Sequence, residues 1–398
     1  MFPAPASPKR FVQDLEELGY DTGIVGAHFA LYGLPYLDEA GGLQHGDLFS
    51  PVNFDADGVI NGSDTHQCWW VGSRPFGRDR SDLGVGYADN PRLIVEGLTA
   101  NTSFSLKLRD GDAPPRDYAS FEEKMLTYLH VIVGPAMAAH PDATPLRGIE
   151  RRAEEQGSPL RWPDTMSANY GINDIANRLR GKKVAIVGLG GTGSCILDFI
   201  ARTHLENITL FDGDKVHVHT LFRIPGFLGK KVIGKPKVEV LAQVYDGWHA
   251  GITAVAERVT ADNIEQLRGF DFVFVAVDDG PARGVLLDWL SNAGIPYVDC
   301  GMGLVRSYGS TLNGRVRVTG VDRAAYERTE GTMFLQTDNA KDHEYRKQAQ
   351  IIELNALNAA WAVVRFKQHF GLYERVDEAA GYIFETASFE VSAGGPPQ

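Results

Sequence analysis

From Lys182 onward the chain alternates short apolar runs with stretches of helical spacing. VAIVG, NITLFD, GITAVAERV, FDFVFVAVDD and IPYVDCG read as strands. Ser194 to Thr203, KPKVEVLAQVYDGW and ARGVLLDWLSNAG, which fall between them, read as helices. Bare apolar strands that alternate with helices predict a mostly parallel sheet covered on both faces. GRVRVTG, a long helix from about Arg346 to Phe370 and a last strand in GYIFETASFEV complete this half.

The earlier half has a different pattern. Phe11, Leu15 and Leu18 share one face of a short helix, and FALYGLPYL follows as a strand. DGVINGSDTHQCWWVGSRPFG and SFSLKLR have strand propensity, punctuated by Asn-Gly and Gly turns. Residues 120–140 predict a helix broken at Gly134-Pro135. PDATPLRGIERRAEEQGSPLRWPDT predicts a linker without a continuous element, and MSANYGINDIANRLRG a short lead-in helix. The expected order is an α+β domain over 1–150, a linker and lead-in helix over 151–180, a Rossmann-like α/β domain over 181–390 and a flexible tail over 391–398.

Composition narrows the function classes. A net charge of -12 weighs against a nucleic-acid surface. Three cysteines (Cys68, Cys195, Cys300) without a CxxC pair weigh against a disulfide scaffold and a four-cysteine zinc site. MFPAPASPKR lacks the apolar core of a secretory signal, and no run of about 18 apolar residues occurs. The expectation is a soluble cytoplasmic protein with no membrane or nucleic-acid partner.

Candidate chemistry begins at GLGGTGS, residues 188–194. Gly188, Gly190 and Gly193 satisfy GxGxxG between a strand and a helix, where backbone N–H groups and the helix N-terminus attract phosphate. Asp212 ends the next strand, placed to hydrogen-bond a ribose hydroxyl. This fingerprint serves NAD and ATP equally, and GxxxxGK[ST] is absent. Downstream residues discriminate. Arg223, Lys235 and Lys237, and Asp278 with Asp279, all fall at the carboxyl edge of the expected sheet. Two cationic side chains and a carboxylate converging on one nucleotide suit transfer at an α-phosphate: arginine and lysine can stabilise phosphoryl and pyrophosphate charge, and Asp278 can hold Mg²⁺.

At these residues the chain resembles the ubiquitin-activating (E1-like) MoeB/ThiF/HesA-type adenylyltransferase superfamily, over roughly residues 168–390. GLGGTGS, including Gly191, resembles its phosphate loop. DGD, with Asp212 and Asp214, resembles its ribose-binding acidic pair, and GKPK at 234–237 its lysine motif. HTLFR, ending in Arg223, stands in place of its Asn-x-x-Arg segment, with Thr220 where members have asparagine. VDDGPAR at 277–283 resembles its magnesium-binding segment. The resemblance implies ATP and Mg²⁺ as cofactors and adenylation of the C-terminal carboxylate of a ubiquitin-like protein. It also implies an E2-like protein as a further partner, and a homodimer in which Arg178 reaches the ATP site in trans. The first region resembles an uncharacterised domain of bacterial ubiquitin-like conjugation operons, which implies partner docking. Sulfur transfer, cofactor synthesis and antiphage conjugation are all settings open to such a protein.

Cys300, at the end of IPYVDCG, is the best-placed nucleophile for a thioester, although buried cysteine is a common small hydrophobe. Cys195 and Cys68 read as packing. His217 with His219, and His66 with Cys68, have i,i+2 spacing without a sure third metal ligand. Asn355 and Asn358 interrupt an apolar helix and need partners if buried. An NAD-dependent oxidoreductase and a non-catalytic E1-like scaffold are the competing readings.

Overall fold

The computed structural model describes residues 7–109, 114–226, 228–306, 310–320, 325, 327, 350–376 and 379–394. The chain divides into two compact units, 1–156 and 157–398.

The first unit opens with α1 (Pro8–Glu17), capped by the Ser7 hydroxyl. Phe11 and Leu15 are buried, whereas Leu18, expected on the same face, is exposed at the C-cap. Five strands, β1 (Asp21–Val25), β2 (His28–Leu37), β3 (Leu43–Pro51), β6 (Gln67–Val71) and β9 (Thr102–Ser105), form an antiparallel sheet in that order. Two hairpins, β4 (Asn53–Phe54) with β5 (Ile60–Gly62) and β7 (Arg92–Val95) with β8 (Leu98–Ala100), flank it.

α2 (Phe121–Ala139) packs Met125, Tyr128, Leu129, Ile132 and Val133 into the core of this sheet. The expected break at Gly134-Pro135 does not occur. Pro135 removes one hydrogen bond, and the apolar face packed before it, with Ala136 after it, keeps the helix continuous. The expected linker also contains α3 (Gly148–Glu155). It belongs to the first unit: Arg151 pairs with Asp21, and Arg152 donates to the Glu16 carbonyl at 2.7 Å. The unit therefore ends at 156 rather than 150.

The second unit begins with the short helices α4 (Thr165–Asn169) and α5 (Asn173–Ala176). Its eight strands are β10 (Lys183–Val187), β11 (Asn207–Phe211), β12 (Ile252–Val255), β13 (Phe272–Val275), β14 (Tyr297–Arg306), β15 (Leu312–Thr319), β16 (Gly381–Glu385) and β17 (Glu390–Gly394). The order across the sheet is β12-β11-β10-β13-β14-β15-β16-β17. The first five strands are parallel, as expected. β14 through β17 pair antiparallel, so the sheet is mixed. Residues 390–394, mostly assigned to a flexible tail from sequence, are its edge strand. The remaining tail residues lie outside the described ones.

Among the described residues, α6 (Gly191–Ile200), α7 (Lys237–Tyr245), α8 (Gly280–Ala293) and α9 (Ile352–His369) cover the faces. Val184 and Ile186 face a core shared with α6, α7 and α9. Ala185 and Val187 face the core shared with α8. α6 starts three residues earlier than expected, because Gly190 caps it and Gly191–Gly193 are already helical. The expected start of the long helix, residues 346–349, lies outside the described residues.

Chain order reverses between β10 and β13. Their carboxyl ends therefore open onto a topological switch point, where ligands of open α/β sheets bind.

Candidate functional site

The glycine loop sits at that switch point. Gly188 has φ +92°, a conformation suited to glycine, and its N–H donates to the Phe211 carbonyl at 2.8 Å. Close packing excludes a side chain at two further positions: a Cβ on Gly193 would strike the Gly188 carbonyl, and one on Gly191 the Asn355 amide. Gly190 is different. Among the described residues a Cβ there would meet nothing within 4 Å, and the position lies at the N-terminus of α6.

Asp212 follows β11 and is buried. Its two oxygens accept the N–H groups of Leu189 at 2.6 Å and Asp214 at 2.7 Å, which locks the carboxylate against the loop. Lys237, the first residue of α7, is only 4% exposed. Its Nζ lies 3.0 Å from Asp214 Oδ2 and 3.6 Å from Asp212 Oδ2. Its own N–H donates to the Asp214 carbonyl at 3.0 Å, fixing the helix start on the acidic turn. Arg258, just past β12, donates to Asp214 Oδ1 at 2.6 Å. Burial alone would raise the Asp214 carboxyl, but bonds from Arg258 and Lys237 outweigh it and hold the group below the usual carboxylate value. The same bond, with the field of Asp214, raises Arg258, and Asp212 and Asp278 contribute.

Two of the expected phosphate-site residues, Arg223 and Asp278, lie near this cluster. Arg223 is half-buried, and its buried Nε has no hydrogen-bond partner among the described residues. Thr220, which stands where asparagine was expected from the resemblance, is buried and accepts the His217 N–H at 3.2 Å. Asp278 is exposed in the turn after β13. Asp279 caps α8 by accepting the Ala282 N–H at 3.2 Å. His217 and His219 are exposed and stack at 5.6 Å. Burial and the charges of Arg223, His217 and Lys237 lower His219. Among the described residues no three His, Cys, Asp or Glu side chains form a metal cluster.

Asn355 and Asn358 lie on the buried side of α9. Thr192 Oγ1 donates to Asn355 Oδ1 at 3.1 Å, and Asn358 Nδ2 donates to the Gly301 carbonyl at 3.0 Å. Asn355 Nδ2 and Asn358 Oδ1 are left without partners among the described residues. Asp299, wholly buried at the end of the parallel part of β14, pairs with Arg317 at 2.7 Å and faces Arg283 at 3.7 Å. Sequence reasoning missed Arg258, Asp299 and Arg317. A search for charge at the ends of β12 and β14 would have found the first two.

Cys300 departs from its expected role. It is buried, and burial together with Asp299 pushes its thiol up, the reverse of what a nucleophile needs. Cys195 is buried in the core with its thiol pushed up to about 11. Cys68 is buried too, and it does not converge with His66 on a metal site. Arg178 is bound to the Gly371 carbonyl of its own chain. It precedes β10, at the amino edge, opposite the glycine loop.

Residues 165–353 match the ThiF family, and residues 11–165 match a Domain of unknown function (DUF6791). The chain is similar to ubiquitin-like modifier-activating enzyme 5 of Drosophila persimilis, at 31% identity over 147 residues, 35% of this chain and 37% of that protein. It is also similar to tRNA threonylcarbamoyladenosine dehydratase of Escherichia coli (strain K12), at 33% identity over 122 residues, 30% of this chain and 45% of that protein. The chain spans half or less of the length of these curated relatives. Among solved structures, E. coli MccB with MccA-N7isoASN aligns with a TM-score of 0.48 and 16% identity, over 71% of this chain and 91% of that one. The second unit has a ThiF-type α/β fold, a mixed sheet flanked by helices, preceded by a smaller α+β domain. No described helix is long and apolar enough to cross a membrane.

Proposed function

We infer that the second unit is an ATP-dependent adenylyltransferase that activates the C-terminal carboxylate of a ubiquitin-like protein. The observation that carries this reading is the convergence of Asp212, Asp214, Lys237 and Arg258 at the switch point, with Arg223 and Asp278 beside them. A dinucleotide cradle needs the glycine loop and one ribose acid. It does not need a buried lysine held between two carboxylates, an arginine with an unmet buried N–H and a further exposed carboxylate.

The residues fit the nucleotide. Gly190 leaves open space at the α6 N-terminus for a phosphate, and Asp212, anchored by two backbone N–H groups, keeps lone pairs for ribose hydroxyls. Lys237 is pre-oriented by Asp214, and Arg223 supplies a second cation for the phosphates. Asp278 would hold Mg²⁺, which on binding would neutralise phosphate charge.

In the reaction, an ionised carboxylate attacks the α-phosphate. The bond to the bridging oxygen breaks and pyrophosphate leaves. No general base is required, because the carboxylate is already deprotonated at neutral pH. Positioning and fixed charge supply the acceleration. The similarity to ubiquitin-like modifier-activating enzyme 5 supports a ubiquitin-like protein as the carboxylate donor. The three buried cysteines favour handing the adenylate onward, to an E2-like protein or another acceptor, over an internal thioester. A homodimer with Arg178 acting in trans belongs to the same reading.

Nucleotide choice tests it. With Mg²⁺, ATP raises the melting temperature of the wild-type chain and not of Lys237→Ala, and NAD raises neither. Stabilisation by NAD and not by ATP overturns the reading.

A further inference from the structure

We propose that the first unit carries a second, serine-based acyl-transfer site made of Ser105, His66 and Asp117, independent of the nucleotide chemistry. Ser105 Oγ lies 2.9 Å from His66 Nε2, and the other ring nitrogen, Nδ1, faces Asp117 Oδ1 at 3.9 Å. Nucleophile, base and orienting carboxylate therefore follow one another in the arrangement that activates serine on unrelated folds. The Asp117 distance is that of an ion pair rather than a hydrogen bond, because Lys107 Nζ holds Asp117 Oδ1 at 2.9 Å. Catalytic contacts of this kind tighten when substrate binds.

Side chains from α2 and the segment before it fix the main chain at His66 and at the neighbours of His66 and Ser105. β6 and β9 pair antiparallel with Gln67 opposite Ser105, which brings His66 alongside the serine. The Tyr128 hydroxyl, in the core, donates to the His66 carbonyl at 2.8 Å and accepts the Leu106 N–H at 3.0 Å. Tyr118, adjacent to Asp117, donates to the Leu106 carbonyl at 2.9 Å, and Lys124 donates to the Gln67 carbonyl at 2.9 Å. A surface contact of no consequence does not need two buried side chains, Tyr128 and Lys124, and a half-buried one, Tyr118, clamping the backbone beside it. Burial pushes both tyrosines up, so each keeps the proton it donates.

His66 is poised as a base. Burial and the Lys107 charge lower it, Asp117 partly opposes them, and Lys124 lowers it further, so the ring is neutral at pH 7. A proton on Nδ1, toward Asp117, leaves Nε2 free to accept from Ser105. Ser105 Oγ then attacks the carbonyl carbon of an ester or similarly activated acyl group, and its proton passes to His66 Nε2. The leaving alcohol takes that proton as its bond to the acyl carbon breaks. Water, deprotonated by His66, then attacks the acyl carbon; the bond to Ser105 Oγ breaks, the acid leaves and the proton returns from His66 Nε2 to Oγ. Ser105 and Asp117 are exposed, so the site takes an acyl group presented at a surface or chain end.

The full-length chain is treated with a fluorophosphonate probe, and the adduct is located by peptide mapping. p-Nitrophenyl acetate hydrolysis is followed in parallel. The expected result is a Ser105 adduct whose formation slows about a hundredfold in His66→Gln. Labelling should accelerate through a pH below the ordinary histidine value of 6.5. Ser105→Ala should abolish both signals and leave ATP–pyrophosphate exchange unchanged. No adduct on the wild type, an adduct elsewhere, or equal labelling of Ser105 in His66→Gln overturns the proposal.

Discussion

Two lysines, one in each unit, are almost equally buried and have opposite surroundings. Lys237 is 4% exposed and lies between the carboxylates of Asp212 and Asp214. Lys124 is 2% exposed and donates to Ser50 Oγ at 2.8 Å, Ser63 Oγ at 3.1 Å and the Gln67 carbonyl at 2.9 Å, all neutral acceptors. The second arrangement spends all three donors and is closed: it pins α2 to β3, β6 and the loop between them. The first lies at the carboxyl edge of the sheet beside an exposed carboxylate and a cation whose Nε has no partner among the described residues, and it can exchange one set of anionic oxygens for another. Burial of a charge thus identifies neither structure nor function. The charge of its partners, and whether polar atoms nearby remain unsatisfied, separates the two.

The largest effect expected from this contrast is on activity. Lys237→Ala should lower adenylation about 10²–10³-fold, the scale for removing one electrostatic stabiliser, whereas Lys124→Met should leave it within about twofold. Equal losses in the two variants would erase the distinction.

The converse holds for stability. Lys124→Met leaves two hydroxyls and a carbonyl short of a donor, and should lower the protection of β3 and β6 amides in hydrogen exchange by about 1–3 kcal/mol. Burial lowers Lys124 below its ordinary 10.5, so the unfolded chain binds more protons between the two values. Wild-type stability therefore gains with rising pH across that window, and its margin over Lys124→Met should widen from pH 7 toward 10. A margin that shrinks over that range would show the lysine to be charge-stabilised instead. Above 10, Tyr118 and Tyr128 keep protons that the unfolded chain releases, and oppose the gain.

The glycine loop yields a finer test. Gly191→Ala has no room beside Asn355 and should lose fold and nucleotide binding together. Gly190→Ala should fold normally and weaken ATP alone, since among the described residues nothing meets its Cβ. Titration calorimetry with a melting curve distinguishes them. Smallest of all, Cys300→Ala should leave the product pattern unchanged on non-reducing gels, because the thiol is buried and protonated.

The second unit was legible from its sequence wherever local pattern and tertiary role coincide. Strands such as VAIVG, the glycine turn and the positions of Asp212, Lys237 and Asp278 follow from alternation and from the rule that ligands gather at carboxyl edges. The antiparallel β14–β17 segment was not legible as such, because the apolar runs that form it carry no sign of direction. Nor was the exclusion of Cys300 from chemistry, which depends on Asp299 beside it and on what packs over it. In the first unit, a proline and a charged stretch predict a break and a linker. Packing of Ile132 and Val133 before the proline, and the ion pair of Arg151 with Asp21, overrode both signals. Arg258 stands 44 residues after Asp214, and the parallel pairing of β11 with β12 brings the two together.

The most direct test of the central claim is exchange of labelled pyrophosphate into ATP by the full-length chain, with Mg²⁺ and a ubiquitin-like protein ending in a free carboxylate. Exchange that requires that protein and disappears in Asp278→Ala is the predicted result. Exchange that persists in Asp278→Ala, or its absence from a wild-type chain that binds both ATP and the protein, would contradict the account.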